Sequence, residues 1–272
     1  MDPSPDERLR TTVRETYGRI ALSESGGCCE PASDVTSSCC GTPVSVSSTE
    51  LWYSESDLRA VPPGADLGLG CGNPGAIAAL RAGETVLDLG SGAGFDAFLA
   101  SRAVGETGRV IGVDMTPEMV SRARANAAAG GFANVEFRLG EIERLPVADG
   151  VVDVIISNCV INLSPDKPSV LRESFRVLRE GGRLAISDVV AANELPAALR
   201  DDLTLYSGCV AGASLVSELE EMLGAAGFVD VRIAPKDESK AFIERWAPGR
   251  HVTDYVVSAT IEALKPRGGP HR

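Results

Sequence analysis

Short apolar runs alternate with amphipathic stretches through the middle of the chain. Residues 84–90 (ETVLDLG) form an apolar run closed by glycine, and FDAFLASRAVG behind it has helical spacing. GRVIGVD is a second run, followed by a predicted helix from Thr116 to about Ala129. NVEFRLG, VVDVIISN and GGRLAISDVV read as three further strands, with VLRESFRVLREGG as the helix before the last. Strands alternating with helices of ~10–15 residues predict a mostly parallel sheet wound on both faces, so the fold class is α/β. After Asn193 the rhythm changes to two helical stretches, LPAALRDDLTLYSG and SLVSELEEMLGAAGF. Two strand-like stretches, VDVRIAP and DYVVSATIEALKP, then bracket the short helical segment SKAFIERWA and are expected to pair antiparallel at the sheet edge. No internal repeat interrupts this order.

Ahead of the alternation, Leu9, Val13, Tyr17 and Ile20 are spaced for a helix over residues 6–22. From Ser23 to Thr49 the chain is Ser, Gly, Thr, Pro and Cys with almost no large apolar side chain, and by composition alone it reads as a linker. Two adjacent cysteine pairs in it, Cys28–Cys29 and Cys39–Cys40, argue against an ordinary linker, because such segments avoid exposed thiols. The expected division is an N-terminal helix with a Cys-rich arm over 1–75, a nucleotide-binding domain over 76–190, and C-terminal helices and edge strands over 191–272.

Composition narrows the function. Of 272 residues 44% are hydrophobic and 24% charged, which is ordinary for a globular protein with a real core. A net charge of −12 argues against nucleic acid as a partner, since phosphate-backbone binding needs a basic surface. The first residues, MDPSPDERLRTTVRETYGRIA, are charged throughout with no apolar signal core, and no later stretch reaches bilayer length. A cytoplasmic protein without membrane contact is therefore expected, and the absence of a zipper pattern points to a monomer. Only two histidines occur, His251 and His271, both near the end of the chain, so reactions that need no central general base gain weight.

VLDLGSGAG places Gly90, Gly92 and Gly94 between the first strand and a helix, where glycine lets backbone and a helix N-terminus approach a ligand. A dinucleotide fingerprint needs its third glycine at position 95, which is Phe95 here, and this disfavours a pyrophosphate. Asp114 ends the second strand in GVDM and suits a ribose; its blander role as a helix cap is already served by Thr116 and Pro117, which leaves the carboxylate free. GEIERLP puts Ile142 and Glu143 after the third strand, and Asn158 ends the fourth. Together these motifs resemble the class I S-adenosylmethionine-dependent methyltransferases over roughly residues 84–190. The resemblance implies a Rossmann-like domain in which Gly90, Ser91, Gly92 and Gly94 hold the amino acid end of S-adenosylmethionine, Asp114 and Met115 its ribose side, Ile142 and Glu143 its adenine, with Asn158 beside them.

Three single cysteines remain. Cys159 follows the fourth strand, at the sheet edge where ligands of parallel sheets bind, although a lone cysteine there also serves as a small buried hydrophobe. Cys71 in LGLGCGNP and Cys209 in YSGCVAG sit in small-residue turns with no amphipathic role. Zinc favours four ligands with paired C-x-x-C spacing, which the doublets do not supply, whereas trivalent arsenic is soft, thiophilic and three-coordinate. LGLGCGNP, SNCVINLSPDK, the SDVV strand end and SGCVAGA resemble the arsenite S-adenosylmethionine methyltransferase family, from about Tyr17 to the last strands.

This closer resemblance implies that Cys71, Cys159 and Cys209 take arsenic(III) as substrate and that the C-terminal region completes the arsenic site. It also implies that an arm cysteine exchanges disulfides with Cys71, with Cys39 or Cys40 preferred among the four, and that thioredoxin or glutathione supplies electrons. Two other readings stay open at this stage: a methyltransferase for a small organic acceptor with structural cysteines, and a non-enzymatic thiol-rich metalloid-binding protein.

Overall fold

A computed structural model of the chain describes residues 4–23 and 46–268, and the arm cysteines Cys28, Cys29, Cys39 and Cys40 lie outside them. Helix α1 (Pro5–Leu22) realises the predicted N-terminal helix: the Ser4 hydroxyl accepts the Glu7 N–H at 3.2 Å, proline opens the first turn, and Val13 turns inward. Two short helices follow, α2 (Glu55–Ala60) and α3 (Pro74–Ala78). Then comes the alternation read from the apolar runs: β1 (Thr85–Leu89), α4 (Phe95–Val104), β2 (Arg109–Asp114), α5 (Pro117–Gly130), β3 (Val135–Leu139), β4 (Val152–Asn158), α6 (Lys167–Val177) and β5 (Leu178–Ala191). The C-terminal part adds α7 (Ala197–Arg200), α8 (Leu203–Ser207), α9 (Val216–Ala226), β6 (Val229–Lys236) and β7 (Val256–Leu264).

All seven strands form one sheet in the order β3-β2-β1-β4-β5-β7-β6. Strands β1 to β5 run parallel, and β7 lies antiparallel between β5 and β6, as the last two strand-like stretches predicted. In β4, Val152 to Ser157 are all buried, because helices cover both faces, and this is why the strand reads as mostly apolar rather than alternating. Among the described residues, no helix is long and apolar enough to cross a membrane.

Two predicted helices differ from what formed. The helix expected over VLRESFRVLREGG begins earlier, at Lys167, where the Asp166 side chain accepts the Ser169 N–H at 3.1 Å, and it ends at Val177 because Leu178 is extended and joins β5. The helix expected over LPAALRDDLTLYSG breaks into α7 and α8. Asp202 leaves the helix and caps the next one, accepting N–H groups from Thr204 at 2.8 Å and Leu205 at 3.1 Å.

Candidate functional site

The strand order reverses between β1 and β4, so the carboxyl ends of these strands flank a crevice, which is where parallel sheets bind ligands. Gly90, Gly92 and Gly94 all have left-handed backbones, with φ of 66°, 50° and 98°. A Cβ on Gly90 meets Val160 Cγ2 at 2.4 Å, and one on Gly94 meets Phe98 at 2.7 Å, so these two are demanded by packing. A Cβ on Gly92 would meet nothing within 4 Å, and Gly92 lines the cavity. Gly90, Ser91, Gly92, Asp114, Met115, Ile142, Glu143 and Asn158 line that cavity together; Gly94 stands behind its wall.

Asp114 is not left free by the Thr116–Pro117 helix start. Thr116 makes no side-chain cap; instead Asp114 accepts the Thr116 N–H and the Gly92 N–H, each at 2.9 Å. It thereby clamps the glycine loop to the start of α5, and each oxygen retains a lone pair for a ligand hydroxyl. Glu143 is also engaged, accepting from the Ser164 hydroxyl at 2.6 Å and standing 3.5 Å from Arg10 of α1. Arg10, Val13 and Tyr17 bring α1 over the cavity as a roof.

Asp88 was not singled out by the sequence. It lies inside β1, is 2% exposed and is among the residues lining the cavity; its buried Oδ2 has no hydrogen-bond partner among the described residues, and the same holds for Ser91 Oγ. Burial pushes the Asp88 and Asp96 carboxyls up, and the two lie close enough to raise Asp88 further. Buried polar atoms left unpaired at a cavity wall suit a cationic ligand group, so these residues fit the ammonium end of S-adenosylmethionine. The overlooked signal was a charge in the middle of VLDLG.

Three loops bring the cysteines to the same edge. Cys71 lies fully buried: its N–H donates to Asn158 Oδ1 at 3.0 Å and its carbonyl accepts from Ser258 Oγ at 2.6 Å. Flanking glycines press this loop onto the sheet, since a Cβ on Gly72 meets Ser187 Oγ at 2.7 Å. Cys159 and Cys209 both occupy left-handed backbone, φ 58° and 63°, a conformation that costs a side-chain-bearing residue about 1–2 kcal/mol. The Cys209 thiol donates to the Cys159 carbonyl at 2.7 Å. Asn162 joins the two turns, its amide donating to Cys209 O at 3.3 Å, Val189 O at 2.6 Å and Asp188 Oδ1 at 2.9 Å.

The sulfurs of Cys71 and Cys159 and a carboxylate oxygen of Asp188 all lie within 4.8 Å of one another. The compact cluster is thus two thiols and a carboxylate, with Cys209 attached through Cys159. Burial pushes the Cys71 thiol up to about 11. For Cys159 the Cys209 thiol pulls downward, yet its contact with Cys71 and burial leave it well above the usual range. Cys209 is raised by its contact with Cys159 and by burial. Burial raises Asp188 to about 6, against N–H donors from Val189 and Ile161. Asn158 spends its polar atoms on the protein: while its Oδ1 accepts the Cys71 N–H, its amide donates to Gly72 O at 2.8 Å, Tyr53 Oη at 3.0 Å and Asp96 Oδ2 at 3.2 Å. Asn158 lines the cavity and holds the buried Cys71 loop behind it, with the Cys71 thiol beside that of Cys159.

The sheet order, the glycine loop and the acid after β2 define a class I S-adenosylmethionine-dependent methyltransferase. Residues 80–227 match the family model described as "Methyltransferase domain". An arsenite methyltransferase of Halobacterium salinarum is 55% identical over 97% of this chain and 68% of its own length. One from Aquipseudomonas alcaligenes is 42% identical over 83% of this chain and 63% of its own length. The chain therefore spans about two thirds of the length of both relatives. A crystal structure of an arsenic(III) S-adenosylmethionine methyltransferase from Chlamydomonas reinhardtii superposes with a TM-score of 0.63 at 34% identity, covering 85% of this chain and 76% of that one. The chain belongs to the arsenite methyltransferase family.

Proposed function

We propose that this protein transfers methyl groups from S-adenosylmethionine to trivalent arsenic held by cysteine thiolates, and so detoxifies arsenite. The observation that carries the reading is the placement of the Cys71 thiol within 4.8 Å of the thiol of Cys159, which itself lines the cavity shared with the glycine loop. When bound, S-adenosylmethionine supplies a sulfonium methyl group. Asp88 and Asp96 hold its ammonium, Asp114 its ribose, and Ile142 with Glu143 its adenine. Cys71, Cys159 and Cys209 keep arsenic trivalent with its lone pair directed at the methyl, so the main catalytic contribution is proximity and orientation. No proton leaves the nucleophile, in keeping with a site that contains no histidine.

Methylation raises arsenic formally from the trivalent to the pentavalent state, and two electrons return from a thiol pair that closes as a disulfide. In this scheme Cys39 or Cys40 exchanges with Cys71, and thioredoxin or glutathione reopens the disulfide. The reading includes a monomer acting in the cytoplasm, where such reductants are kept reduced. It divides the chain into the arm (1–75), a cofactor-binding part (76–190) and a part that completes the arsenic site (191–272).

The test is to incubate the protein with arsenite, S-adenosylmethionine and a thiol reductant and to separate the arsenic species. Methylarsenicals are expected from the parent and not from Cys159→Ser or Cys209→Ser. Retained methyltransfer to an organic acceptor in both variants, without arsenite binding, would replace this reading with that of a small-molecule methyltransferase.

A further inference from the structure

Asp188 is anomalous for a buried acid. It is 2% exposed and forms no ion pair with any described residue; Lys167 acts on it only from beyond ion-pair distance. Buried carboxylates are paired or coordinate a cation, and two thiols, Cys71 and Cys159, present their sulfurs within 4.8 Å of an Asp188 oxygen. Its Oδ1 accepts from Asn162 and Val189, but Oδ2 accepts only the Ile161 N–H at 2.9 Å and keeps a lone pair.

Trivalent arsenic has no use for this oxygen. Three thiolates neutralise it, and thiolate is the donor that soft ions select over carboxylate. A divalent d10 cation is different: two thiolates and a carboxylate are all ligands it takes, in tetrahedral geometry with one position left for water. Ligand atoms around tetrahedral zinc stand roughly 3.5–3.8 Å apart, given metal–ligand bonds of about 2.0–2.3 Å. The Cys71, Cys159 and Asp188 atoms, all within 4.8 Å of one another, need to close by only about 1 Å to reach that spacing. Cys159 lines the cavity and supplies the way in.

We propose that Cys71, Cys159 and Asp188 form a seat for a thiophilic divalent cation, zinc or cadmium, which excludes arsenic while it is bound. The competition rests on the arsenic site proposed above; the cation seat itself does not. Because the two occupants share two sulfurs and differ in the third ligand, they are separable: Asp188 serves the cation and Cys209 serves arsenic.

The experiment titrates Cd2+ and, separately, arsenite into the full chain carrying serine at Cys28, Cys29, Cys39 and Cys40, reading thiolate-to-cadmium charge-transfer absorption and arsenic retained after gel filtration. One Cd2+ per chain is expected, with absorption for two thiolates, displaced by arsenite. Asp188→Asn is expected to weaken Cd2+ by at least ~10-fold, no less than the loss of an outer-shell partner costs, and to leave arsenite within about threefold. Cys209→Ser is expected to do the reverse. Cadmium binding that ignores Asp188→Asn, or that survives Cys71→Ser and Cys159→Ser, overturns the proposal. If Asp188→Asn loses arsenite as well, Asp188→Cys decides: cadmium bound with absorption for three thiolates supports the seat, and absorption for two or none overturns it. Arsenite that fails to bind the parent while cadmium binds normally refutes the arsenic reading and not the seat.

Discussion

The N–H of Cys71 donates to Asn158 Oδ1 at 3.0 Å, so the last residue of β4 holds the loop that carries a thiol from a separate part of the chain. The same side chain binds Asp96 at the cavity wall, which makes it a mechanical link between the cofactor side and the thiol side. Replacing Asn158 by alanine leaves the Cys71 N–H and the Gly72 carbonyl without these partners, at about 1–3 kcal/mol per buried group. The expected outcome is a lower unfolding midpoint and a loss of arsenite affinity of ~10-fold, exceeding the loss for S-adenosylmethionine. Paired binding titrations of the variant and the parent measure both.

Cys209, at φ 63°, occupies backbone that favours glycine. Glycine normally destabilises relative to alanine because it has more freedom in the unfolded chain, but here alanine retains the left-handed strain and glycine relieves it. Cys209→Gly is therefore expected to be more stable than Cys209→Ala by ~1 kcal/mol, with neither variant methylating arsenite. Denaturant unfolding of the pair checks the order, and an alanine variant equal to or better than glycine contradicts it.

Burial holds the Cys71 thiol up to about 11, so the protein at neutral pH carries it protonated. Alkylation consumes the thiolate, whose fraction rises tenfold per pH unit below the pKa. The rate of Cys71 modification by iodoacetamide is thus expected to climb ~10-fold per unit from pH 6 to 8. Arsenite uptake behaves otherwise, because each thiol proton leaves with an arsenic hydroxyl as water and the exchange is proton-neutral. Its affinity is expected to stay flat over the same range. Peptide mass spectrometry follows the first quantity and equilibrium binding the second; a pH-independent alkylation rate would mean that Cys71 is already ionised.

Much of the fold was legible because burial on both faces writes itself into composition. The runs at β1, β2 and β4 are dominated by buried apolar residues, and each closes where the chain turns at the ligand edge. Local chemistry misled where two residues competed for one task. Asp202 and Asp201 look like helix interior in LPAALRDDLTLYSG, yet Asp202 caps a second helix, and Asp114 rather than Thr116 serves the start of α5.

The site divides in the same way. Glycine spacing, the acid after β2 and the cysteine after β4 are local in the chain, and the sequence by itself placed them at the carboxyl edge of a parallel sheet. It also supplied the soft chemistry of Cys71, Cys159 and Cys209. Only the tertiary structure set Asp188 beside two thiols, gave Asn158 the task of holding Cys71, and left Asp88 with an unpaired oxygen. The physical reason is that donor sets and orphaned groups are properties of distance and desolvation. Those arise when β4, β5 and the Cys71 loop pack together, and no spacing along the chain records them.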